Sequence, residues 1–156
     1  MNLQRYEYFS SDYQAYQFYS EGPKGRIKKV VTFFKIQHSP IVYNLAFGDE
    51  DPQTGAVSDA IVTNNNDQNV VLATVANTIN DFRDHFGNHF IYAEGSTPAR
   101  TRLYQIGISG LLDELTDDFD VYGVRNGEVY KFQKDVNYEA FFVKRKQRVY
   151  LINKEL

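Results

Sequence analysis

One stretch of the sequence places its apolar residues at helical spacing, and the segments on either side of it alternate apolar and polar residues instead. At 100° per residue, its apolar side chains fall on one side of a helix. Asn65, Asn66 or Asp67 can cap the first N–H groups of this helix, and Gly87 is a natural end. A helix with one apolar side must be buried against another layer of structure. The members of the apolar side are Val71, Leu72, Val75, Ile79, Phe82 and Phe86.

Most of the remaining chain has the composition and the alternation of strands. Asn126-Gly127 predicts a two-residue type I′ hairpin, and 22–25, which reads Gly-Pro-Lys-Gly, predicts another turn. Thr97 and Pro98 predict the N-cap and first residue of a second helix, which runs to about Leu115. The predicted strands are 5–9, 15–20, 26–37, 41–47, 60–63, 89–94, 119–124, 128–132, 138–143 and 149–152.

This order of elements predicts the fold class. We expect a single α+β domain over residues 1–156, with a mixed, mostly antiparallel sheet and two helices packed on one face. The 12 Tyr and 12 Phe residues favour a pleated, half-buried surface. The sequence contains no internal repeat and no linker that would divide the chain.

Composition excludes several classes of function. The chain has no cysteine, so disulfides, thiolate metal sites and a cysteine nucleophile are absent. No apolar run approaches 18 residues, and no signal-like segment opens the sequence, so we expect a cytoplasmic protein without a membrane span. The net charge of −3 counts against tight binding of duplex DNA. The basic cluster of Lys24, Arg26, Lys28 and Lys29 is interpreted as a solvated face.

Two possible metal motifs fail on spacing. Asp49 and Asp51 resemble the start of a calcium loop, but Gln53 and Thr54 stand where that loop needs Asp or Asn and then Gly, so a plain acidic turn is predicted. His85 and His89 lie on either side of Gly87 and do not share a helix face as zinc ligands would. We therefore expect no metal and no cofactor.

The candidate site lies in the segment from Gly95 to Tyr104. A strand that ends in Gly and two hydroxyl residues, Ser96 and Thr97, and then opens a helix presents free N–H groups that suit an anion. A helical wheel places Arg100 and Leu103 on the apolar side and Arg102 on the polar side. A buried guanidinium needs a counter-charge. Its counter-charge is either a structural carboxylate or the phosphate or carboxylate of a ligand. The candidate structural carboxylates are Asp67 and Glu94.

Topology suggests the neighbours of that loop. If 60–63 and 89–94 are parallel strands, the loops that follow them meet at one edge of the sheet, where such folds bind ligands. Asn65 and Asp67 would then face Ser96, Thr97 and Arg100. Asp67 and Tyr104 are the only candidates for a general base, so whether the chain is an enzyme stays open.

Three stretches of the sequence resemble a known group of proteins: 43–49 (Tyr-Asn-Leu-Ala-Phe-Gly-Asp), 71–76 (Val-Leu-Ala-Thr-Val-Ala) and 95–104 (Gly-Ser-Thr-Pro-Ala-Arg-Thr-Arg-Leu-Tyr). They are similar to a family of small, uncharacterised bacterial proteins found mostly in the Bacteroidota, and the similarity extends from about Leu3 to Lys146. The resemblance implies a bacterial cytoplasmic protein and no particular activity.

Two functions follow as hypotheses. The first is the binding of a phosphate-bearing ligand, a nucleotide or an RNA end, at the loop from Ser96 to Arg100, and a toxin or phage-defence component would fit a bacterial protein of this size. The second is a non-catalytic module that binds a protein partner or another copy of itself through its separate basic and acidic surfaces.

Overall fold

A computed structural model describes residues 3–59 and 64–147. Two predicted strands, 60–63 and 149–152, lie outside the described residues. Three helices are present in the described part: α1 (Gln68–Phe86), α2 (Pro98–Gly110) and α3 (Leu112–Asp118). The strands of that part are β1 (Tyr8–Phe9), β2 (Ala15–Gly22), β3 (Gly25–His38), β4 (Ile41–Glu50), β5 (Val57–Ser58), β6 (Phe90–Ala93), β7 (Phe119–Arg125), β8 (Glu128–Lys131) and β9 (Ala140–Arg145).

All the described strands belong to one sheet. Its order is β1-β2-β3-β4-β6-β9-β7-β8, and β5 pairs with the far end of β4. One pairing is parallel, that of β4 with β6, and the others are antiparallel. The predicted mixed, mostly antiparallel sheet is therefore confirmed. The parallel neighbour of β6 is β4.

The helices and one face of the sheet share a core. Alternate residues along each strand point into it, as the pleat requires. From the helices, Val75, Ile79 and Phe82 of α1 enter this core together with Ile108 of α2 and Leu115 of α3. Phe82 stacks on Phe33 with ring centroids 4.4 Å apart. The sheet contributes Tyr16, Phe18, Val31, Phe33, Tyr43, Leu45, Ile91, Phe119, Val121 and Phe141.

The predicted second helix is two helices, so the prediction of two helices in all was wrong. The helical bonding breaks at Leu111, which ends α2 and caps α3. Gly110 precedes the break, and glycine weakens a helix because its backbone has more freedom to lose. Leu111 is itself buried in the core, so the bend turns its side chain inward.

The local signals at turns and helix ends were read correctly in several places. Asn126 and Gly127 have φ values of 51° and 76°, as a type I′ hairpin between β7 and β8 requires. Thr97 is the N-cap of α2 with Pro98 following it, and α1 ends at Gly87. No helix in the described part of the chain is long and apolar enough to cross a membrane.

Candidate functional site

Asn65 and Asp67 lie in a buried polar network beside the β2–β3 hairpin. The Asp67 carboxylate accepts hydrogen bonds from the hydroxyls of Tyr6, at 2.7 Å, and Ser20, at 2.5 Å. Asn65 donates to Ser20 and to the carbonyl of Gly25, and it accepts from the backbone N–H of Lys24. Asp67 is the N-cap residue of α1, but its side chain makes no capping bond. These bonds hold the start of α1 against the hairpin.

The other four predicted site residues lie at the start of α2, on another part of the sheet. Ser96, Thr97, Arg100 and Tyr104 follow β6, and three strand spacings separate β2 from β6. That separation is about 14 Å at the usual distance between strands. The predicted grouping of Asn65 and Asp67 with the loop rested on the condition that 60–63 and 89–94 are parallel strands, and 60–63 lies outside the described residues. In the described part of the chain β6 pairs with β4 and with β9.

The protein's own acceptors satisfy most N–H groups of the loop before α2. The N–H of Arg100 donates to Oγ1 of Thr97 at 3.2 Å, and that of Gly95 donates to Oγ1 of Thr101 at 3.0 Å. Pro98 has no N–H to offer. The backbone N–H of Ser96 donates to Oδ2 of Asp59 at 2.8 Å. The carboxylate of Asp59 therefore occupies the position at this N–H where the anionic group of a ligand was predicted.

The buried side of α2 differs from the one that the helical wheel predicted. Thr101, Gln105 and Ile108 are its buried residues, and Arg100 is half-buried at the edge of that side. Leu103, which the wheel placed inward, is 47% exposed. Gln105 fixes the rotation of the helix about its axis, because its side chain donates to the carbonyl of Val136 and accepts from the N–H of Tyr138. Polar pairing outweighed apolar periodicity in setting the rotation of this helix.

A cavity of about 420 Å³ opens where β6 separates from β4. In the described part of the chain, β4 pairs with β6 as far as Asn44 and next pairs with β5 at Asp49. The gap between these pairings is the mouth of the cavity, which we call the fork cavity. Leu45, Phe47 and Val57 supply apolar lining. Its polar lining is Thr32, Asn44, Asp59, Glu94, Ser96 and Tyr104.

Two tyrosines at the fork hold their protons tightly. Burial, and secondarily the negative charge of Asp59, raises the pKa of Tyr104 to about 12, while the positive charge of Arg100 opposes this rise. Burial, with a hydrogen bond to Glu94, raises the pKa of Tyr92 to about 12. The hydroxyl of Tyr92 donates to Oε1 of Glu94 at 2.9 Å. Both side chains therefore remain hydrogen-bond donors at neutral pH, and Tyr104 is a poor general base.

Part of this cavity was predicted from the sequence, and part was missed. Ser96 and Tyr104 were selected, and Glu94 was named as a possible partner of Arg100. Asn44 lies in the 43–49 stretch, to which no site was assigned, Asp59 lies in none of the quoted stretches, and both are far from the loop along the chain. The sequence carries no signal for Asp59, because the N–H of Ser96 that it accepts from is exposed and water can serve as its acceptor equally well.

In residues 3–59 and 64–147, no three His, Asp or Glu side chains stand close enough together to hold a metal ion. His85 stacks on Tyr13 with ring centroids 3.5 Å apart, and the ring of His89 bonds to the carbonyl of Phe86. Both histidines are thus engaged at the end of α1.

Comparison with known proteins identifies the family. Residues 2–146 match the model of a family of unknown function, DUF6934, and the chain belongs to that family. No curated protein and no solved structure matches the chain.

Proposed function

We propose that this member of DUF6934 is a binding domain whose ligand occupies the fork cavity. One observation carries the proposal: polar side chains from β4, from the segment after β5, from the loop after β6 and from α2 line a single cavity of about 420 Å³. Cavities that hold small ligands usually measure about 300–1,000 Å³ and combine apolar walls with a few polar groups. The cavity also lies at the carboxyl end of β6, beside its parallel partner β4, where open sheets commonly bind ligands.

The lining favours a ligand that donates hydrogen bonds. Asp59 and Glu94 contribute two carboxylates, and Asn44 adds an amide. No lysine or arginine lines the cavity within the described residues. Carboxylate oxygens accept hydrogen bonds and repel a second anion. We therefore expect an uncharged or cationic ligand with hydroxyl or amino groups, and a nucleoside is the form of the predicted nucleotide that meets this condition.

A phosphate-bearing ligand at Ser96–Arg100 would find fewer backbone N–H donors than the sequence suggests. The N–H of Ser96 already donates to Asp59, so a phosphate at that position would have to displace a carboxylate. Arg100 lies close enough to Tyr104 to lower its pKa, which puts the guanidinium's positive charge near the cavity. A nucleotide would therefore fit with its base or sugar in the cavity and its phosphate toward Arg100. A toxin or phage-defence role stays a prediction.

The raised pKa of Tyr104 and the bonds of Asp67 count against the two general bases that the sequence predicts. These two residues were the candidates for a general base. Asp67 is engaged by Tyr6 and Ser20 next to the hairpin, and Tyr104 remains protonated near neutral pH. Proton transfer requires a group whose pKa is close to the working pH.

Retained ligand and thermal stabilisation test the proposal together. Native mass spectrometry of freshly purified protein should show a bound small molecule, or adenosine should raise the melting temperature more than inorganic phosphate does. Ala46→Phe adds a ring to a residue that lines the cavity and should abolish either effect. Ile106→Phe is the matched control, because Ile106 is exposed on α2 away from the cavity.

Three results would contradict the proposal. The first is that no mass is retained and that adenosine, AMP and phosphate all leave the melting temperature unchanged. The second is that Ala46→Phe binds as well as the control does. The third is stabilisation by phosphate alone, which would move the site from the cavity to Arg100.

A further inference from the structure

The face of the sheet that points away from the helices carries a row of aromatic side chains. Consecutive register partners across the strands are Phe34 with Asn44, Asn44 with Tyr92, Tyr92 with Phe142, and Phe142 with Tyr122. Their chain neighbours Tyr43, Ile91, Phe141 and Val121 enter the core, so this row points to the opposite side. We call Phe34, Phe90, Tyr92, Tyr122 and Phe142 the outer aromatic patch.

Four members of the patch are in ring contact, and Phe34 lies at its edge, separated from Tyr92 by Asn44. The ring centroids of Tyr92 and Phe142 are 5.0 Å apart, and Phe90 makes edge contacts with Tyr122 and Phe142 at 6.1 and 6.2 Å. Phe34 is 49% exposed, and the other four are half-buried by one another. All three described helices pack on the other face. Contiguous exposed apolar surface of this kind marks an interaction site in a soluble domain.

The charges beside the patch differ in sign along the strand direction: a lysine lies at one end of the patch, and carboxylates lie at the other. Lys144 lies two residues beyond Phe142 on β9, with its ammonium 4.9 Å from the ring of Phe90. Glu94 lies two residues beyond Tyr92, which is on the antiparallel neighbour β6, so it stands at the other end. Glu139 precedes β9 at that same end and contributes its negative charge to the raised pKa of Tyr92. The aromatic row thus separates a lysine from two carboxylates.

We propose that the outer aromatic patch binds a second copy of this chain, face to face. A twofold axis that lies in the interface along the aromatic row places the row of one copy on the same row of the other. The same rotation exchanges the two ends, so Lys144 of each copy approaches Glu94 and Glu139 of its partner. An isologous interface needs this self-complementarity. A nucleic acid is a poorer occupant, because carboxylates flank the patch and would repel its phosphates.

Asp120 sharpens the test, because it opposes this arrangement. It is the register partner of Lys144 on β7 and is exposed, so it offsets part of the positive charge at that end. Replacing it with an uncharged residue should strengthen self-association.

Sedimentation equilibrium of the full chain measures the association. We expect the wild type to dimerise and Phe34→Asp to weaken the dimer about tenfold, because it puts a charge at the exposed end of the aromatic row. Ile106→Asp makes the same kind of change at a residue 57% exposed on α2 and should leave the dimer intact. Circular dichroism of both variants verifies that they are folded.

A charge exchange tests the orientation independently of any apolar substitution. Lys144→Glu should weaken the dimer, the double variant Lys144→Glu/Glu94→Lys should restore it, and Asp120→Asn should tighten it. A wild type that remains monomeric at high micromolar concentration overturns the proposal, as does a Phe34→Asp protein that dimerises like the wild type. Failure of the double variant to recover association rejects the twofold arrangement. These readings are masses of the protein without added ligand, since Glu94 also lines the fork cavity.

Discussion

Lys29 and Asp49 are register partners on β3 and β4, and they form an ion pair on the helix-covered face of the sheet, where Lys29 is 2% exposed. The sequence analysis had placed Lys29 on a solvated face and Asp49 in an acidic turn. Both interpretations were wrong, because β4 extends to Glu50 and brings the carboxylate opposite the lysine. Each charge is tolerated in the interior because the other is next to it.

Breaking this pair should destabilise the protein strongly. Lys29→Met leaves a buried carboxylate without its lysine, and such losses commonly cost about 3–5 kcal/mol. The double variant Lys29→Met/Asp49→Leu removes both charges and should recover much of the lost stability. Urea unfolding of the three proteins measures the difference. If Lys29→Met unfolds at the same urea concentration as the wild type, the pair contributes nothing.

Gly95 should be intolerant of any side chain. A Cβ at this position would lie 2.4 Å from the backbone nitrogen of Thr101 and 2.5 Å from Cβ of Arg100. Gly95→Ala should therefore cost about 1–3 kcal/mol, as overpacking usually does. Gly110→Ala is the control, because nothing lies within 4 Å of its Cβ position and alanine favours a helix. Thermal melts should show the first variant lowered and the second unchanged or raised.

The pKa of Tyr104 should respond to its two charged neighbours in opposite directions. Asp59→Asn removes a negative charge that disfavours the tyrosinate, so the pKa should fall from about 12, although burial should keep it above that of a free tyrosine. Arg100→Gln removes a charge that favours the tyrosinate, so the pKa should rise. NMR titration of ring-labelled tyrosine follows both variants. Equal values in all three proteins would mean that neither charge reaches the ring.

The cap of α2 should contribute a modest and specific stability. Thr97→Ala removes the acceptor of the Arg100 N–H, and the loss of such a cap costs about 1 kcal/mol. Thr97→Ser keeps a hydroxyl acceptor and should restore nearly all of it. Chemical denaturation distinguishes the two variants, and a Thr97→Ala protein as stable as Thr97→Ser would show that the hydroxyl does not cap the helix.

Local signals predicted the parts of this fold that local physics decides. Asn126-Gly127 fixed a hairpin because only a few residues adopt its positive φ values. Thr97-Pro98 fixed a helix start because the threonine hydroxyl accepts a helix N–H and proline presets the helical φ. The rotation of α2 was wrong because Gln105 bonds to the 136–138 segment, and no periodicity of one helix contains that contact.

For the candidate site too, the residues of one local segment were predicted, and those that strand pairing brings in were missed. Ser96 and Tyr104 could be selected because they belong to one strand–loop–helix segment. Asp59 and Asn44 reach the cavity through strand pairings that one sequence does not show. Asn65 and Asp67 were assigned to the loop on the assumption that 60–63 and 89–94 are parallel, and the structure places both residues beside the β2–β3 hairpin instead.

The fork between β4 and β6 also divides the sheet into two halves with different neighbours in the chain. β1 to β5 pair antiparallel with one another, and β6 to β9 do the same. In residues 3–59 and 64–147, three register pairs from Val42–Phe90 to Asn44–Tyr92 join the two sets. Local opening of a protein follows such boundaries, because few bonds must break there. Amide hydrogens at this seam should therefore exchange with solvent before those of β3 or β9, and any molecule that bridges the fork should slow their exchange.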